Sequence, residues 1–557
     1  MKRVAFLNAV LALSFCCSGQ IIQGEGVTHH VPGDYSTIQA AVDAANEGDT
    51  VLVADGTYYE NIRIYSKNFV LASHFILDGN EEHIANTIID GSKPALPDSA
   101  SVILIRNCSG SGPLVEGFTI TGGGGSVIDT PFGVERNGGG IWVILSGAYI
   151  ENNIITGNDV SDPKFTSNGG GIYAVTLVSE MQVFIKDNKV FDNSLQSPRY
   201  AQGAGIYLAG SFGLKLVENN NIFENTATCT GEWKANAGGI QLHTQDPWAT
   251  PMIIRNNRIA NNEIHCIASQ GGGIFLSFPP GGSTSQWSGK APIEIYNNLI
   301  VDNYSEDRGG GVAVWDQTGR AYDIVDPNPL IVNNTIVKNV ASEGGGLYNF
   351  GMNVLLFNNI MWNNAGEGAT CEISQKNTNY PNRDWENHGK VVCMYNDIKG
   401  GYEGTGNINR EPVWIKDSYA PDSLNRCIGR GTKSVKIGLL TYRAPTTDYF
   451  GNPRPNPIDE FIDLGAIESS FPVGGISSRT YNSFRLFPNP ATDHVVFLAD
   501  QYRQYTLEIY SSNGQLVKQN DYTGSSCHLD ISSFEKGMYV LVIRAENNVW
   551  TNTFIKQ

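Results

Sequence analysis

Through the middle of the chain, short apolar stretches alternate residue by residue between two faces, and glycine or asparagine fences each one. Alternation with a period of two predicts short β-strands whose aliphatic positions face a core. A Gly-Gly-Gly-aliphatic phrase opens a strand at residues 138–141, 169–172, 271–274, 309–312 and 344–347, with the variants at 203–206 and 237–240 filling the gaps. Starts at 138, 169, 203, 237, 271, 309 and 344 give steps of 31 to 38 residues. A second phrase, aliphatic-x-Asn-Asn-x-aliphatic-x-x-Asn, follows at 150–158, 217–225, 254–262, 295–303, 331–339 and 356–364, and residues 185–193 carry Asp187-Asn188 in its place. Self-similarity at such a period predicts a solenoid of stacked coils. The asparagines fall where one strand bends into the next, so a structural amide ladder running from coil to coil is expected there.

The ends of the chain read differently. Residues 36–45 form a short helix pattern with Ile38, Ala41, Val42 and Ala45 on one face, broken by Gly48-Asp49 before a strand at 50–54. A solenoid bares its core at its first coil, so this helix is expected to serve as an N-terminal cap. Strands between 69 and 120 are irregular, although 87–91 and 115–120 fit the coils. The segments 448–454 and 462–468 are expected to make the last coil. A Pro/Gly/Ser-rich linker spans 469–482, and residues 483–557 hold strand patterns at 495–498, 505–511 and 537–545 with an Asn513-Gly514 turn. That tail predicts a small antiparallel β-sandwich. Residues 1–19 read as a signal peptide: Lys2 and Arg3, an apolar run at 4–15, then Cys17-Ser18-Gly19. The expected layout is a signal peptide at 1–19, a β-helix domain at 20–468, a linker at 469–482 and a sandwich at 483–557.

Composition narrows the function. A formal net charge of −17 leaves no basic stripe to neutralise phosphates, which excludes nucleic acid as a partner. The acidic surplus makes Ca²⁺ the one cofactor to name, but no Asp-x-Asp-x-Asp-Gly loop is present, so the cofactor stays unknown. After the signal no stretch approaches the roughly 20 apolar residues of a membrane span. Export permits disulfides. Cys229 lies four residues after Asn225 and Cys266 four after Asn262, so the two share one repeat position and are expected to pair; Cys371–Cys393 is the second candidate.

The stretch from Tyr35-Ser36-Thr37-Ile38-Gln39 to Gly56-Thr57-Tyr58-Tyr59-Glu60 resembles the N-terminal cap of the pectin-lyase-like right-handed parallel β-helix superfamily. The resemblance implies an all-β fold, a right-handed parallel β-helix. The superfamily's better-defined active sites are not matched: neither Asn-Thr-Asp with Gly-His-Gly nor Asp-Phe-Ile-Phe-Gly occurs. In the tail, Pro488-Asn489-Pro490, Asn513-Gly514-Gln515 and Lys536-Gly537-Met538-Tyr539-Val540 resemble the C-terminal sorting domain of the type IX secretion system of Bacteroidetes-type bacteria. This implies the secretion machinery as a partner and a secreted or outer cell-surface location.

Candidate chemistry sits on the outward side of the strand that follows each glycine phrase. One outward row is Trp142, Tyr173, Tyr207, Gln241, Phe275, Ala313 and Tyr348; the next is Ile144, Val175, Ala209, His243, Ser277, Trp315 and Phe350. Loops lengthen on both sides, at 244–249, 279–292 and 316–328 after the strand and at 159–168, 194–202, 226–236 and 263–270 before it. An aromatic floor between loop walls suits an extracellular polysaccharide, with Trp142, Tyr173, Tyr207, Gln241, Phe275, Trp315 and Tyr348 as substrate-binding residues. His243 is the candidate base, with Asp246, Lys234 and Arg308 on flanking loops. The resemblance implies a polysaccharide lyase or glycoside hydrolase if there is catalysis. The competing reading is a non-catalytic adhesin, because outward rings on a parallel sheet also stack without any ligand.

Overall fold

A computed structural model describes residues 26–130, 133–210, 212–244, 252–278, 293–316, 328–366, 372–376, 389–416, 418–455, 461–469, 484–545 and 548–557. The chain divides into two compact units, 1–472 and 473–557.

Three long parallel sheets build the first unit. One has twelve strands, from Thr28–Val31 to Val391–Met394; one has eleven, from Gly56–Tyr58 to Asp397–Ile398; one has ten, from Ile62–Tyr65 to Ile373–Lys376. Each coil visits all three, as Ile172–Val175, Val183–Lys186 and Lys189–Phe191 do in turn. The result is a parallel β-solenoid. Its core follows from the alternation: Ile172, Ala174, Val183, Ile185 and Val190 are 0–1% exposed and join one continuous apolar column.

The Asn-Asn phrase divides two tasks between its residues. The first asparagine takes a left-handed backbone, with φ between +51° and +60° at Asn152, Asn219, Asn256, Asn297, Asn333 and Asn358, a conformation asparagine tolerates better than most residues. The second turns its amide inward. Asn220 Nδ2 donates to Asn257 Oδ1 at 3.0 Å, Asn257 to Asn298 at 3.0 Å and Asn298 to Asn334 at 2.9 Å, while each backbone N–H meets the same acceptor. A parallel ladder runs through Asn158, Asn193, Asn225, Asn262, Asn303, Asn339 and Asn364.

Helix α1 (Ile38–Ala44) is held by Thr37, whose hydroxyl accepts from Ala40 N, and buries Ile38, Ala41 and Val42 in the solenoid core. Two further helices, α2 (Phe75–Asp78) and α3 (Glu81–Asn86), replace the tight corner between strands Val70–Ser73 and Thr87–Asp90. The irregular stretch after residue 69 thus contains helices that the strand pattern did not announce.

The segments expected to form a last coil run elsewhere. Leu464, Ala466 and Ile467 pack with Ala260, Val301, Val337 and Ile360 on the outside of several coils. The αL asparagines hold this strap, with Asn297 donating to Thr447 O and Asn333 to Asp463 O. Arg454 and Glu468 pair within it at 2.9 Å, both buried. The outer row of corner amides needs partners, and a returning segment supplies carbonyls where another coil would not.

The expected Cys229–Cys266 disulfide is not formed. The register of Thr228 opposite His265 sets the two cysteines side by side, yet both are free thiols. Cys229 Sγ donates to Arg199 O at 2.9 Å and Cys266 Sγ to Trp233 O at 3.3 Å, each a carbonyl of the preceding coil. Burial pushes the Cys266 thiol up to about 11. Cys371, residues 1–19 expected to form a signal peptide, and 470–482 of the expected linker lie outside the described residues.

The second unit is an antiparallel sheet of Phe484–Phe487, His494–Ser511, Leu516–Asp530, Gly537–Ala545 and Asn548–Lys556. Its core gathers Val495, Phe497, Leu507, Ile509, Leu529, Leu541, Ile543 and Phe554. Among the described residues, no helix is long and apolar enough to cross a membrane.

Candidate functional site

The outward positions stack coil upon coil. Trp142 is opposite Tyr173, Tyr173 opposite Tyr207, Tyr207 opposite Gln241, Gln241 opposite Phe275, Phe275 opposite Ala313 and Ala313 opposite Tyr348. Tyr173 and Tyr207 stack at 4.9 Å. The row is nevertheless covered, which corrects the expectation of an open floor. Trp142, Tyr173, Tyr207, Phe275 and Tyr348 are 2–8% exposed and Gln241 0%. The glycine phrase explains it. Gly169 has φ +64°, and a Cβ there would stand 2.5 Å from the Tyr173 Cβ, so the incoming segment folds directly onto the ring. Those incoming segments form a sheet of their own, from Ser99–Ala100 to Ser269–Gln270.

Trp315 is the exception, being half-buried. Ala313 removes one ring from the row beside it, and two cations gather there. The Arg308 guanidinium carbon lies 5.4 Å from the Trp315 ring centre and 5.4 Å from that of Tyr348, and Lys234 Nζ lies 4.7 Å from Trp315. Phe350 stacks on Trp315 at 4.2 Å, so the indole serves to seat cations rather than to offer a bare platform. Burial, with the charge of Arg308 as the second cause, lowers the Lys234 pKa. Asp307 Oδ2 lies 3.3 Å from Arg308, and Glu343 bridges Arg308 at 3.9 Å and Lys376 at 3.1 Å. Burial raises the Asp307 carboxyl and pushes the Tyr348 phenol up to about 12.

Arg308 belongs to a row that sequence reasoning did not single out: the residue before each glycine phrase. In register this row reads Asn137, Asn168, Gln202, Asn236, Gln270, Arg308 and Glu343. The signal was present in the sequence, as a polar position immediately ahead of every glycine phrase. Near its charged end, Asn236 Oδ1, Gln241 Oε1, Gln270 Nε2 and Trp315 Nε1 are buried without a hydrogen-bond partner among the described residues. Gln241 keeps one bond, from Nε2 to Gln202 Oε1 at 2.9 Å. Each such orphan costs about 1–3 kcal/mol, and a concentration of them marks where a polar ligand or water would be held.

Of the four candidate catalytic residues, the structure brings Lys234 and Arg308 together at Trp315. His243 stacks on Tyr207 at 6.4 Å and is in register with Ser277, which is in register with Trp315, so it stands two strand spacings away, about 10 Å. Burial pushes its imidazole down to about 4. Asp246 lies outside the described residues, as do 245–249, 279–292 and 317–327 of the loops expected to wall the strip.

Comparison with known families agrees with this architecture. Residues 73–326 match the family described as the right handed beta helix region, and residues 485–557 match the secretion system C-terminal sorting domain. No curated protein matches the chain. With the solenoid and the sorting tail both in place, the chain is an exported protein, secreted or at the cell surface, whose solenoid is similar to the right handed beta helix region and whose tail is similar to the secretion system C-terminal sorting domain.

Proposed function

We propose that this exported solenoid binds an acidic polysaccharide at the Lys234–Arg308–Trp315 cluster. The observation that carries the reading is the convergence of two cations on one half-buried indole, seated on a rigid sheet. Asp307 and Glu343 already pair with Arg308, so an incoming carboxylate or sulfate exchanges with them or takes Lys234. The guanidinium fork suits such an anion in bidentate fashion. A net charge of −17 opposes long-range attraction of a polyanion, so recognition must be local.

Binding is favoured over cleavage because His243, with its pKa near 4, is too weak a base at neutral pH and stands apart from the cations. One observation supports a lyase reading: Lys234, whose pKa burial lowers beside Arg308, combines a base with a neutralising cation. Titration of the full chain with a glucuronate polymer and with a neutral glucan separates the outcomes. Acid-selective binding, weakened about tenfold in Arg308→Met or Lys234→Met, is expected, from a hydrogen bond to a charged group worth about 1.5–3 kcal/mol. Binding unchanged in both variants would overturn the proposal. Ultraviolet absorbance of unsaturated products, lost in Lys234→Met, would select the lyase reading.

A further inference from the structure

The α2–α3 excursion carries a second cluster, remote in sequence from the cations. Strand Val70–Ser73 leaves the coil at His74, and the chain regains the solenoid at strand Thr87–Asp90. His74 is the N-cap residue of α2 and makes no side-chain cap bond. His83 sits in the last turn of α3. Asp55 comes from the preceding coil, at the turn between strands Thr50–Val53 and Gly56–Tyr58. Asp55, His74 and His83 each offer one ligand atom, and these atoms all lie within 4.8 Å of one another.

We infer that Asp55, His74 and His83 form a binding site for a divalent transition ion of the Zn²⁺ class. Two imidazoles and a carboxylate are the donor set that borderline ions take, with a remaining position for water. His83 Nδ1 lies 2.7 Å from Asp55 Oδ1, and the two imidazole rings meet edge to face at 5.7 Å. Neighbouring ligands of a tetrahedral ion stand about 3.4 Å apart for bonds of about 2.0–2.1 Å, so entry of the ion needs side-chain adjustments of an ångström or so. Once Nδ1 holds the ion, the other ring nitrogen faces Asp78, whose Oδ2 is 3.5 Å from Nε2, and a carboxylate behind a ligating imidazole fixes its orientation.

The scaffold is already fixed. Thr119 Oγ1 donates to Ile84 O at 2.8 Å, Asn80 caps α3, and Thr87 Oγ1 donates to Asp55 Oδ1 at 3.3 Å. Beneath the start of α2, Gly117 packs so closely that a Cβ would stand 2.4 Å from Ser73 Oγ and 2.9 Å from the Phe75 Cβ. An ion bridging Asp55 to both histidines would tie the excursion to the coil before it.

Zn²⁺ titrated into the metal-free full chain, followed by calorimetry and by metal content after gel filtration, tests this. One zinc per chain is expected in the wild type, lost in His74→Gln and in His83→Gln, with Asp78→Asn binding ten- to hundredfold more weakly. Zinc is also expected to raise the thermal midpoint and slow proteolysis within 74–86 in the wild type alone. The chain has nine histidines, so Co²⁺ spectra check the donor set: tetrahedral absorption bands should appear in the wild type and vanish in His74→Gln. No zinc retained by the wild type, or the same stoichiometry in His74→Gln and His83→Gln, would overturn the site.

Discussion

Two rows of side chains climb the same coils under opposite rules. The inward asparagine row is uniform, because the partner of each amide is the same amide one coil away. The outward row beside the glycine phrase varies from ring to amide to ring to methyl to ring. Uniformity inside reflects a closed hydrogen-bond requirement that any other residue breaks. Outside, stacking is the only constraint; it is broken at Gln241 and Ala313, and Arg308 stands close by in the row ahead of the glycine phrase. Variation on a repeating scaffold therefore points to the site, whereas repetition points to stability.

The largest effect should come from breaking the uniform row. Asn257 Oδ1 accepts from the backbone N–H and the amide of Asn220, and its own Nδ2 donates to Val217 O and Asn298 Oδ1. Asn257→Ala strands several buried groups at about 1–3 kcal/mol each. A loss of about 3 kcal/mol or more is expected in denaturant unfolding, larger than for alanine at the half-buried outward positions Ile144 and Val175. A loss below 1 kcal/mol would remove the distinction between the rows.

A subtler break lies at the end of the second ladder, where Glu372 replaces asparagine as acceptor for the Asn364 backbone N–H and amide. Burial outweighs these bonds and pushes the carboxyl from 4.5 up to about 7. A folded-state pKa above the unfolded one stabilises fully below about 4.5, and that contribution is lost as pH rises through about 7. The wild type should therefore lose about 1–3 kcal/mol across this window. Glu372→Gln, whose amide oxygen can accept as the other rungs do, should flatten the profile and be the more stable form above pH 7. Parallel profiles for the two proteins would contradict the assignment.

The phase of both rows was legible in the sequence, because a period-two strand within a fixed repeat dictates which residues align. Coverage was not. Trp142 and Tyr207 have the right register but lie under segments turned onto them by left-handed glycines, and periodicity carries no information on what folds over a face. Cys229 and Cys266 show the same limit: adjacency followed from spacing, but the direction of each thiol depended on carbonyls in the coil below. Lys234 and Arg308 were recognised as candidates around His243, yet they meet at Trp315, because Arg308 belongs to the row ahead of the glycine phrase. Asp55, His74 and His83 went unnoticed because the excursion between 74 and 86 interrupts the repeat on which the reading relied.

The smallest predicted effect gives the sharpest comparison. Gln241 lies between Tyr207 and Phe275, and it separates two apolar clusters that would otherwise be continuous. It is fully buried and its Oε1 has no hydrogen-bond partner among the described residues, so stability alone does not explain the amide. Leucine has a similar volume and removes the orphaned oxygen, although it also takes a donor from Gln202 Oε1. The balance predicts that Gln241→Leu is neutral or more stable by up to about 1 kcal/mol. If the polar break serves the ligand, the same variant should bind the acidic polymer several-fold more weakly while Trp142→Leu, three coils below, binds as the wild type does. A Gln241→Leu protein that loses stability and keeps its affinity would place this amide with the structural row and confine the binding site to the two cations.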